Sequence, residues 1–188
     1  AITTGELWDK HPEKSFGLRA AWVDKNPKAA KALLMAVMEA QQWCEKAENR
    51  EETAAICAKR QWINCPVEDI TDRMKGKFDY GTGRVVENSP QQMRFWKDNA
   101  SYPYQSHDLW FLTEDIRWGK YEAGFDTRAL IAKVNREDLW KEAAKELGVS
   151  DIPTSTSRGK ETFFDGKIFD PENPAAYLKS LSIKRVDV

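Results

Sequence analysis

The stretch Asn26-Pro27 followed by "KAAKALLMAVMEAQQWCEKA" most constrains this chain. Asparagine is a favoured helix cap, and proline at the first helical position has no N–H to lose there. Behind them Ala29, Leu33, Val37, Ala40 and Cys44 recur at spacings of three and four, with Leu34 and Trp43 widening the stripe. That period predicts a long amphipathic helix. Ahead of it, "KSFGLRA" reads as a strand over residues 15–20, and residues 1–4 as the tail of another strand.

The rest of the chain is punctuated in the same way. Asn49 and Glu52 are spaced as a capping box for "REETAAICAKRQ". Pro66 opens a helix carrying Val67, Ile70 and Met74, and Gly76 stops it. Residues 76–90 are glycine-rich with short β-like runs and read as a loop or small hairpin. Ser89 and Pro90 predict a helix through Trp96, and Ser106 one that carries Leu109, Trp110, Leu112, Thr113 and Ile116. Asp126 caps "TRALIAKV", Asn135 and Asp138 frame "REDLWKEAAKELG", and Asn173-Pro174 opens the last helix. Around Asp165-Gly166 the alternation of "TFFDGKIFD" predicts a hairpin. Few strands among many helices suit an α/β protein, helix-rich in this portion, with 15–20 and 163–169 as edges of a sheet whose other strands lie upstream. The chain is read as one piece, 1–188, with no linker marking an internal boundary.

Composition excludes more than it assigns. Lys+Arg total 29 against 30 Asp+Glu, so no basic excess points to nucleic acid. No apolar run reaches the ~20 residues of a membrane helix. Cys44, Cys57 and Cys65 form no CxxC and have no histidine nearby in sequence, which argues against zinc and for small buried apolar side chains. Ser106-His107-Asp108 is not a catalytic triad, because adjacent residues cannot place three side chains in relay, and it reads as a helix start. Gly81 and Gly83 lack the rest of a nucleotide fingerprint, and there is no P-loop, HExxH or EF-hand loop. No enzyme is expected, and no cofactor.

Long segments carry a resemblance: "PEKSFGLRAAWVDKNPKAAKALLMAVMEAQQWCEKAENREE", "YPYQSHDLWFLTEDIRWGKY", "LIAKVNREDLW" and "ETFFDGKIFDPENPAAYLKSL". Together they make the chain similar to the solute-binding lipoproteins of nitrate and bicarbonate ABC transporters, nearer the nitrate branch. The resemblance implies a two-lobed periplasmic-binding-protein-like fold of type II, of which this chain is the C-terminal portion. It implies a nitrate (or nitrite) anion bound in the interlobe cleft, permease subunits as partners, a lipid anchor on the upstream part, and a place on the periplasmic face of the cytoplasmic membrane. It assigns one ligand residue here, Lys14 in "PEKSFG". The family carries lysine near this position where it binds nitrate and a carboxylate where it binds bicarbonate, the latter calling for a bridging cation such as Ca²⁺. From the residues alone, Lys14 is a solvated lysine before a strand. Other readings stay open at this point: a bicarbonate binder, a regulatory domain fused to the transporter ATPase, an enzyme on the same scaffold, and a free-standing helical interaction module.

Overall fold

A computed structural model describes residues 2–187 of the chain. Among them α1 (Thr4–Leu7) and α2 (Ala20–Lys25) precede the long α3 (Pro27–Glu45), which is followed by α4 (Arg50–Ala58) and α5 (Glu68–Met74). A small antiparallel hairpin, β1 (Phe78–Asp79) with β2 (Val85–Val86), separates these from α6 (Gln105–Arg117), α7 (Thr127–Val134) and α8 (Glu137–Glu146). The second hairpin, β3 (Glu161–Thr162) with β4 (Ile168–Phe169), leads into α9 (Pro174–Ser180).

Local chemistry explains several of these elements directly. Asp126 accepts the Ala129 N–H at 2.9 Å and Asn173 accepts that of Ala176 at 3.2 Å, so both predicted caps form. Gly166 takes φ 77° in the β3–β4 turn, a left-handed conformation that glycine adopts freely. Asp165 Oδ1 accepts the Lys167 N–H at 3.1 Å and closes the turn from the other side.

Two apolar clusters organise the packing. In one, Met38 from α3 meets Trp140, Ala143 and Ala144 from α8, with Tyr102 beside them. In the other, Leu109 of α6 and Ile131 of α7 close on Phe169 of β4 and on Tyr177 and Leu181 at α9. Met38 and Phe169 are wholly buried.

The structure departs from the sequence reading at named places. Residues 15–20 form no strand: the backbone runs through 12–19 without a ladder partner and enters α2 at Ala20. Alternation of Phe16 and Leu18 reports a preference for extended backbone, but a strand needs a neighbour to hydrogen-bond. The strand tail expected over 1–4 is replaced by α1, whose Glu6 carboxylate takes the Thr3 N–H at 3.0 Å; Ala1 lies outside the described residues. The partner of the second hairpin is instead Trp8, bridged antiparallel to Phe163, with Leu7 accepting the Phe164 N–H at 2.9 Å. On α3 the side facing the core carries Ala30, Leu34 and Met38, while Ala29, Leu33 and Ala40 are exposed. Alanine and leucine occur on both faces, so the period alone did not single out the covered one.

The helix predicted through 90–96 is absent. Glu45 captures the peptide N–H groups of Phe95, Trp96 and Lys97 at 2.7, 2.8 and 3.2 Å, which fixes an irregular loop. Asn49 does not cap α4; its side chain donates to the Trp43 carbonyl at 2.8 Å. Ser106 lies inside the first turn of α6 rather than before it, and its hydroxyl accepts the Arg158 N–H at 3.1 Å. The three cysteines are free and half-buried rather than buried. Burial, then the nearby Cys44, pushes the Cys57 thiol pKa up.

Candidate functional site

Lys14 sits on a strap that leaves the folded body at Trp8 and rejoins it in α3. The root of the strap is fixed by burial and charge. Trp8 is 2% exposed, and its indole N–H donates to Glu161 at 2.9 Å. Arg158 grips the same carboxylate through two hydrogen bonds, at 2.6 and 2.9 Å. From the other side of its guanidinium it donates to the backbone carbonyls of Lys10 at 2.9 Å and Asp9 at 3.3 Å. A planar fork with five donors can satisfy a carboxylate and two carbonyls at once, which an ammonium cannot.

Aromatic rings complete the root. His11 packs edge-on against Trp8, Trp110 and Phe111, with centroids 5.1, 6.1 and 6.3 Å away. Trp8 also meets His107 and Phe163 at 5.7 and 5.2 Å. The His107 Nε2 lies 3.6 Å from Glu161. Burial alone would raise the Glu161 pKa, but the His107, Arg158 and Trp8 groups around it outweigh burial and bring it down to about 2. The carboxylate is therefore ionised at any physiological pH, and the root stays closed.

Beyond the root the strap is open to water. Residues 13–22 are all exposed. Glu13 turns back to accept the Thr4 hydroxyl at 2.5 Å, and Lys10 pairs with Asp98 at 3.6 Å. Lys14 makes no hydrogen bond or ion pair among the described residues, so its three ammonium donors are left to solvent or a ligand. Residues 10–25 carry four cations (Lys10, Lys14, Arg19, Lys25) against two carboxylates (Glu13, Asp24), so this stretch favours an anion.

Two concavities lie near. One of about 510 Å³ is lined by Leu18, Arg19 and Trp22 on the strap and α2. The other, about 650 Å³, runs between the 96–101 loop and the end of α8, with Trp96 and Trp140 on its wall. Lys14 lines neither, and the larger touches the strap's root through Asp98, which pairs with Lys10. Among the described residues no group of three or more His, Cys, Asp or Glu is disposed to hold a metal ion. None of their helices is long and apolar enough to cross a membrane. Sequence reasoning singled out Lys14 and missed its support, Arg158 and Glu161. Those two lie about 150 positions away, and no local pattern announces them.

Comparison with known proteins supplies the rest. The model of the NMT1-like family matches residues 1–58. The nitrate/nitrite binding protein NrtA of Synechocystis PCC 6803 is 62% identical over 189 residues, which is 99% of this chain and 42% of that protein. The bicarbonate-binding protein CmpA of Synechococcus elongatus is 48% identical over 195 residues, 98% of this chain and 43% of that one. The crystal structure of the periplasmic nitrate-binding protein NrtA from Synechocystis superposes with a TM-score of 0.92, covering 97% of this chain and 48% of that chain. The chain thus spans less than half the length of the relatives it matches, and its fold is that of the corresponding part of a periplasmic binding protein.

Proposed function

We propose, from the premise that this chain is homologous over nearly its whole length to the NrtA nitrate/nitrite-binding proteins, that it is the C-terminal portion of the solute-binding component of an ABC importer for nitrate or nitrite. The observation that carries this reading is the extent of the likeness, 62% identity over 99% of the chain, a span that takes in the segment around Lys14. The complete protein works outside the cytoplasm, tethered by a lipid anchor to the periplasmic face of the membrane, and hands its anion to permease subunits. It binds without covalent chemistry, cofactor or metal.

Lys14 is the ligand residue this portion contributes. Nitrate is a planar monoanion with acceptor oxygens and no donor, so it is matched by N–H groups and positive charge. One charge-assisted hydrogen bond is worth about 1.5–3 kcal/mol. The ammonium is unpartnered among the described residues on a strap whose root is fixed by Trp8 and Arg158, so it is free to donate to an anion without first breaking an ion pair. Closure of the two lobes then traps and dehydrates the anion.

Calorimetric titration of the complete protein tests the proposal, with nitrate, nitrite and bicarbonate in separate runs, with and without Ca²⁺. Nitrate binding weakened by Lys14→Glu by about 10- to 100-fold is the expected result. Calcium-dependent bicarbonate binding would move the protein to the sister function of the CmpA relative. Silence with all the anions would refute both.

A further inference from the structure

The turn between α4 and α5 carries two adjacent large apolar side chains on the surface of this portion of the protein. Trp62 is 67% exposed and Ile63 61%. Single exposed apolar residues are ordinary on a protein surface, whereas these two stand side by side at the tip of a turn. The turn is not loose. The N–H groups of Trp62 and Asn64 both donate to the Lys59 carbonyl, at 2.9 and 3.1 Å. Those of Ile63 and Cys65 donate to Cys57 and Ala58, at 3.0 and 3.3 Å. Asn64 takes φ 57°, which turns the chain sharply back toward α5. A closed backbone thus holds the indole and the isoleucine outward. Lys59 and Arg60 stand beside them, both exposed. The ion pairs nearest in sequence, Arg50–Glu45 and Lys75–Glu51, leave these two cations without a carboxylate among the described residues.

We propose that this tip docks onto an anionic lipid bilayer, with Trp62 and Ile63 entering the headgroup region and Lys59 and Arg60 facing the phosphates. The chemistry of the four side chains fits that occupant. Tryptophan rests at the depth where an apolar ring and its N–H are both satisfied, and basic side chains lay their stems along the interface with the charge outward. Clustered cations add attraction to an anionic leaflet within about a Debye length of it. The size of the patch argues against a stable protein partner, which needs roughly 800 Å² on each side. Here the apolar surface is two side chains, extended by Ile56 and Val67 at 40% exposure each. Glu68 and Asp69 in the first turn of α5 temper the charge, so the contact is weak and reversible. The inference does not depend on which anion the protein carries.

Vesicle co-sedimentation of the complete protein, produced without any acyl anchor, tests it. The vesicles are phosphatidylcholine alone or mixed with phosphatidylglycerol, at low and high salt. The expected result is binding to the phosphatidylglycerol vesicles that the double variant Trp62→Ser/Ile63→Ser reduces at least about tenfold. Lys59→Gln/Arg60→Gln should abolish the preference for the anionic vesicles and its salt dependence. Both variants should keep the circular dichroism and melting temperature of the parent, since all four side chains are exposed. No sedimentation with either vesicle, or equal sedimentation of parent and Trp62/Ile63 variant, would overturn the proposal. A Trp62/Ile63 variant that melts several degrees lower and never bound vesicles would assign the tip to a contact inside the complete protein. Loss of binding to solubilised permease with unchanged vesicle binding would assign it to a protein partner.

Discussion

Arg158 and Glu161 are joined by two hydrogen bonds, and the same guanidinium ties down the carbonyls of Asp9 and Lys10, so one residue fastens the β3 approach to the root of the Lys14 strap. The pair is three residues apart in sequence, yet it holds a segment from the opposite end of the chain.

That arrangement fixes a pH dependence. The Glu161 pKa is about 2 in the folded protein against an ordinary 4.5. A lowered folded value means that its contribution is complete above about pH 4.5 and is lost as pH falls toward 2. Its size is about 3 kcal/mol, before allowance for the remaining exposure. Urea unfolding at a series of pH values should show the parent losing this stability across that window. In Glu161→Gln the corresponding part of the slope should vanish, with stability at neutral pH lower by about 2–4 kcal/mol from the unpaired Arg158.

Glu45 should be as costly to remove. It accepts three successive peptide N–H groups and pairs with Arg50 at 3.2 Å, and Arg50 is itself buried. Glu45→Ala leaves the three N–H groups without their acceptor and Arg50 without its carboxylate, though Arg50 keeps the carbonyls of Met93 and residue 45, so a loss of about 3 kcal/mol is expected in chemical denaturation. Hydrogen exchange should show the 95–97 amides losing protection before the rest of the core.

Met38 is wholly buried against α8, where it meets Trp140, Ala143 and Ala144 with Tyr102 beside them. Met38→Ala should cost about 2–5 kcal/mol by thermal or urea unfolding. Leu33→Ala, on the exposed side of the same helix, should change stability by within about 0.5 kcal/mol. Reversed results would mean that the face of α3 assigned to the core is wrong.

Lys14→Ala separates binding from folding. The side chain is exposed and makes no hydrogen bond or ion pair among the described residues, so the melting temperature without ligand should be that of the parent. The stabilisation that nitrate gives the parent in a thermal shift assay should be absent from the variant. A variant that melts lower without ligand would show that Lys14 has a structural partner.

These residues also show what could be read from sequence. Asp126, Asn173 and the Asp165-Gly166 turn act within three residues of themselves, and each was legible because its chemistry is local. The segment 15–20, expected to pair with strands upstream, forms no ladder among the described residues, because alternation shows what a segment prefers and not whether a partner lies beside it. The helix expected through 90–96 was lost to a carboxylate some 50 residues earlier. Lys14 was singled out by a resemblance alone, since a lysine before an extended segment carries no chemical signal of its own. Trp8, Arg158 and Glu161 owed their roles to the tertiary fold, which no spacing in the sequence encodes.

The loop held by Glu45 has a meaning for ligand discrimination. Three converging peptide N–H groups make a cradle that any small oxyanion would suit. Under the function proposed above, a vacant cradle would be a decoy, sequestering anion where no permease could collect it. The tethered carboxylate of Glu45 occupies it from within, at an effective concentration that dilute free anion cannot rival. The 95–97 amides are thereby closed to small oxyanions by the chain's own carboxylate, and under the function proposed above an arriving anion is left to Lys14.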